Sequence, residues 1–79
     1  MTETILTLKI CRIHWLDSNG TPGWKSRDEV EAKGYPVESV GWLIEENDEA
    51  VLLASSVGST KAGDFLCIVK SCITDRWEL

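Results

Sequence analysis

Apolar residues recur at every second position along much of this chain of 79 residues. That period belongs to strands with one face buried, and a helix does not produce it. From Ile5 to Leu16 the apolar positions are Leu6, Leu8 and Ile10, then Cys11, Ile13 and Trp15. A one-residue change of phase in an extended run requires a bulge or a bend. Small barrels use such bends to pass a strand from one sheet into another, so the break predicts a closed barrel. Alternation returns from Val37 to Glu45, where Val40, Trp42 and Ile44 oppose Ser39, Gly41 and Leu43. Asn47-Asp48 forms a tight polar turn, and Ala50 to Val57 returns antiparallel. Val51, Leu52, Leu53 and Ala54 are apolar without alternation, which predicts a central strand covered on both faces. Phe65 to Lys70 reads as a fourth strand, Lys70-Ser71-Cys72 as a single tight turn, and Ile73, Trp77 and Leu79 as a short fifth strand that closes the barrel.

Two connections interrupt this pattern. Asp17 to Gly23 contains Asn-Gly and Pro-Gly steps, which supply the positive and the fixed φ that turns need. Ser26-Arg27-Asp28-Glu29 then has the form of a capping box, predicting a helix over about Arg27 to Lys33 that Gly34 and Pro36 terminate. Gly58 to Asp64 is a flexible hairpin tip. The order of strand, long loop, hairpin, hairpin, tight turn and short strand is that of SH3-like and Sm-like barrels. The fold expected is therefore mainly β: one small five-stranded barrel domain over residues 1–79, with one short helix in the long loop.

At this length a domain buries only about 60% of the surface its unfolded chain exposes. A deep private pocket is not expected, and a ligand site lies in a shallow groove or between copies of the chain. The net charge is −5, but Glu45, Glu46, Asp48 and Glu49 account for four of those charges, leaving −1 elsewhere. This disfavours nucleic acid and anionic membranes as partners. Cys11, Cys67 and Cys72 are odd in number and form no CxxC pair, which predicts reduced thiols and no disulfide framework. Lys9 and Arg12 break the first apolar run, so no secretory signal is read there, and no stretch has the length of a membrane span. The compartment expected is a reducing cytoplasm.

His14 is the single histidine. That rules out the two-histidine zinc motifs and leaves no second imidazole to activate a nucleophile. A zinc set of His14, Cys11, Cys67 and Cys72 has poor spacing, and no metal or cofactor is expected. The carboxylates of Glu45 to Glu49 share a hairpin tip, where like charges stay hydrated and ionised. The Gly58 to Gly63 loop lacks both Walker spacing and a following helix. Four tryptophans are more than a small core accommodates, because each has an N–H that needs a partner. Trp42 reads as core. Trp24, beside the capping box, either braces its loop or offers a stacking or interface face, and Trp15 has the same two readings.

Trp15-x-Asp17-Ser18, Gly23-Trp24-x-Ser26, Ser39-Val40-Gly41-Trp42-Leu43-Ile44 and Val51-x-Leu53-Ala54-x-Ser56 together resemble a family of small proteins from tailed phages and prophages. Ile68-Val69-Lys70-Ser71-Cys72-Ile73 is similar to an Ile-Pro-Lys-Ser-x-Ile ending in that family, with Val69 in place of the proline. The resemblance implies a non-enzymatic phage accessory protein in the cytoplasm of an infected bacterial host. By looser analogy it suggests a homo-oligomeric anti-defence sponge that sequesters a small nucleotide-like anion. The candidate ligand-binding residues are Trp15 and Trp24 for stacking, Lys25, Arg27 and Lys70 for charge, and Asp17 beside them. The alternative is a structural or regulatory adaptor that grips a host or phage protein through the same loop. An Sm-like ring that binds RNA is opposed by the acid excess.

Overall fold

The computed structural model describes residues 8–18 and 22–79. Its strands are β1 (Ile10–Asp17), β2 (Tyr35–Glu46), β3 (Ala50–Val57), β4 (Ala62–Val69) and β5 (Ile73–Glu78), with a 3-10 turn at Lys70–Cys72. They form one antiparallel sheet in the order β4-β3-β2-β1-β5. Residues 5–7 of the expected first strand and residues 19–21 of the expected turn lie outside the described residues.

Strand β2 belongs to two ladders. Its first part, Tyr35 to Trp42, pairs with β1 from Asp17 back to Ile10, and its last part, Trp42 to Glu46, pairs with β3. The change of partner falls at Gly41 and Trp42, and a bulge between Leu43 and Glu45 follows at once. A Cβ on Gly41 would lie 2.9 Å from the Ala54 carbonyl oxygen and 3.1 Å from Leu53 Cβ, so only glycine lets β3 approach this corner. This places a bend in β2; the start of the first phase of the Ile10/Cys11 change lies outside the described residues. Strand β1 begins at Ile10 and runs in the second phase, with Cys11 and Ile13 fully buried and Trp15 half-buried on the same face.

The core joins both ladders: Cys11 and Ile13 of β1, Val51 and Leu53 of β3 and Ile68 of β4, with Trp15, Leu43 and Ile73 packed against them. Strand β3 matches its expected bounds, while Trp42 is only half-buried. The first hairpin closes as expected at Asn47, whose Oδ1 accepts the amides of Glu49 (2.8 Å) and Ala50 (2.9 Å). Strand β4 starts at Ala62, earlier than its apolar run suggests.

The expected closed barrel is an open, curled sheet. Strands β4 and β5 are its two edges and share no ladder. The turn between them is only Lys70–Cys72, so Val69 and Ile73 are at most about 14 Å apart. In a flat five-stranded sheet the edges would stand about 19 Å apart, so the sheet must curl. Val69 has φ −69°, the value a proline would impose, and the turn forms without one.

The expected helix over Arg27 to Lys33 is absent. One turn forms, and in it the Glu29 amide donates to the Ser26 carbonyl (3.0 Å) rather than to the Ser26 hydroxyl. Every residue from Pro22 to Lys33 is exposed. No apolar face is therefore buried to offset the cost of nucleating so short a helix. Gly34 has no positive φ; it lets Leu16 approach, since a Cβ there would lie 3.1 Å from Leu16 Cβ.

Gly41→Ala tests the corner. The new methyl meets backbone, which cannot rotate away, so a destabilisation of about 1–3 kcal/mol is expected by urea denaturation, with the folded-state spectrum retained.

Candidate docking site

The end of β1 and the start of β2 build an open groove. Cross-strand pairing sets Leu16 opposite Pro36 and His14 opposite Glu38, and directly opposed residues share a face. With Trp15, Val37 and Thr74 they line a depression of about 280 Å³. Thr74 sits where the β1–β5 register slips between His14 and Trp15, and its hydroxyl donates to the His14 carbonyl (3.2 Å). The Trp15 indole N–H donates to Ser39 Oγ at 3.0 Å, which fixes the ring at the edge of the core.

The polar side of the groove is preorganised. Glu38 accepts from Arg12 Nε at 3.0 Å, and its other oxygen lies 3.0 Å from His14 Nε2. The His14 imidazole, and after it the Arg12 guanidinium, hold the Glu38 carboxyl below the usual carboxylate range. Arg12 also lies over the Trp77 ring, 5.0 Å from its centroid, and His14 meets that ring edge-on at 4.8 Å. Trp77 is thus held on the outer face of the sheet, not in the core.

The long loop rises from the rim of this groove, since its mouth is the Asp17–Tyr35 pair next to Leu16 and Pro36. Trp24 is fully exposed (102%), so in this structure it does not brace the loop. Lys25 and Arg27 follow it in sequence, and neither makes an ion pair among the described residues.

Of the six residues read from sequence, Trp15 and Asp17 lie at the groove and its rim, and Trp24, Lys25 and Arg27 on the adjoining loop. Lys70 lies elsewhere. Its ammonium is 2.7 Å from a Glu46 carboxylate oxygen, at the opposite end of β2 from the loop. Sequence reasoning missed Leu16, Pro36, Val37, Glu38 and Thr74. Pro36 was read only as a helix stop, and nothing short of the strand register places it against Leu16.

At that far end, Arg76 of β5 donates twice to Glu46, both bonds 2.8 Å long, and Lys70 completes the cluster. Arg76 lies opposite buried Ile13 and Glu46 opposite buried Val51, so this clamp spans the inner face from an edge strand to β2. No helix among the described residues is long and apolar enough to cross a membrane. No three His, Cys, Asp or Glu side chains among them converge as a metal site.

No protein-family model, curated protein or solved structure matches this chain.

Arg76 and then Lys70 depress the Glu46 carboxyl from 4.5 to about 2. A depressed carboxylate stabilises the fold fully above its unfolded value. Stability is therefore expected to fall as the pH drops from about 4.5 towards 2, by on the order of 1 kcal/mol for this partly exposed group. Urea denaturation at successive pH values should show that slope, and Glu46→Gln should flatten it.

Proposed function

We propose that this chain is a non-enzymatic docking module of phage-accessory type, which holds a protein partner between the groove at Leu16 and Pro36 and the loop that carries Trp24. The observation that carries this reading is the pairing of a fully exposed tryptophan with an open, partly apolar groove at the root of its own loop. Buried aromatic and Arg anchors dominate protein interfaces, and a fully exposed indole gains most when a partner's surface encloses it. The groove is open on one side, whereas sites for small ligands enclose most of the ligand's surface. The strand order, the long loop after β1 and the 3-10 turn before β5 support an SH3-like reading. The accessory role rests on the phage-family resemblance alone.

A second reading, sequestration of a nucleotide-like anion, is favoured by Lys25 and Arg27 after Trp24, which make no ion pair among the described residues. It is weakened at the groove, where the charged groups without an ion pair among the described residues, Asp17 on the rim and Asp75 beside His14, are acids. It also loses Lys70, whose charge is engaged by Glu46.

Calorimetric titration with cyclic and linear nucleotides separates the two. A docking module gives no saturable heat. A micromolar affinity that disappears in folded Trp24→Ala and Arg27→Ala would overturn the docking reading and establish the nucleotide one.

A further inference from the structure

We propose that the groove takes a second copy of this chain, with Trp24 of each protomer seated in the groove of the other about a two-fold axis beside the loop mouth. This rests on the reading of groove and loop as a protein-docking site and names its partner. An isologous interface needs one patch that carries both a projection and the cavity that receives it. Here both have one root: Leu16 and Asp17 lead from the groove into the loop, and Tyr35 and Pro36 return from it. The indole does not occupy its own groove, because Trp24 is fully exposed. Trp24 comes seven positions after Asp17, a reach of at most about 23 Å from the loop mouth, enough to meet a neighbouring molecule.

Size and charge both fit. A depression of about 280 Å³ whose lining includes Leu16, Pro36 and Val37 suits one large flat side chain. Lys25 and Arg27, one and three positions after the indole in sequence, make no ion pair among the described residues, and neither do Asp17 and Asp75 near the groove. Docking brings the two cations of one copy to the two acids of the other. The loop acids Asp28, Glu29 and Glu31 all follow Arg27 in sequence, so the stretch from Trp24 to Arg27 carries positive charge alone.

Sedimentation velocity on the full chain, from low micromolar to about 100 µM, reads the outcome directly. The wild type is expected to dimerise from its 8.8 kDa monomer. Trp24→Ala loses the indole and Leu16→Asp spoils the groove, so each alone is expected to be monomeric. Mixed, they are expected to form a heterodimer, because one intact indole still meets one intact groove. As a check that does not depend on folding of Leu16→Asp, Lys25→Glu with Arg27→Glu should weaken the dimer at least about tenfold. Adding Asp17→Lys and Asp75→Lys to that variant should restore it. A wild type monomeric throughout, a dimer that survives Trp24→Ala, or a charge swap without rescue would overturn the proposal. A monomer that still takes up no nucleotide would leave the docking reading standing with a different partner, so the two failures are distinguishable.

Discussion

The fold depends on the close approach of β3 to the backbone of Gly41. Because no side chain stands there, β2 can leave β1 and take up β3 within one residue of Trp42, and the bulge after Leu43 absorbs the change of direction. Everything inside the sheet follows from that corner. It turns Cys11 and Ile13 on one ladder towards Val51, Leu53 and Ile68 on the other, so a single small core serves both. The Arg76–Glu46–Lys70 cluster then ties the β5 edge to the far end of β2, across a curl that no β4–β5 ladder seals.

Much of this was legible from period and punctuation. The β3 bounds, the Asn47 turn, the tight turn at Lys70 and the start of β5 at Ile73 are local features, set by alternation and by turn residues within a few positions. The errors arise where distant contacts decide. The capping box at Ser26 is a true local signal, yet it yields one turn because nothing packs on the residues that follow. The corner found in β2 carries only an inconspicuous glycine, with no change of phase to announce it. Closure of the barrel could not be read, because β4–β5 pairing depends on how far the whole sheet curls.

The candidate site divides along the same line. An isolated tryptophan in a polar turn, such as Trp24, is visible in sequence as a residue with nowhere to be buried. The groove beneath it comes from a register of two strands eighteen or more positions apart in the chain, and it places a helix-stopping proline against a strand-end leucine. Charge was legible only as composition. That Lys70 is engaged by Glu46 while Lys25 and Arg27 have no ion pair among the described residues is a matter of three-dimensional position.

The pairing of β1 with β5 joins Cys11 to Glu78, residues at nearly opposite ends of the described chain. A contact of such sequence separation must meet a large loop-closure cost before any packing offsets it, and topologies of this kind fold slowly. During synthesis β2, β3 and β4 are all made before β5 exists. The hairpins of the β2–β3–β4 ladder can therefore form first, while the second edge of β1 remains an open template of backbone donors and acceptors until the last strand arrives. The order of strands in this sheet thus sets a period in the life of each molecule when it is most exposed to mispairing.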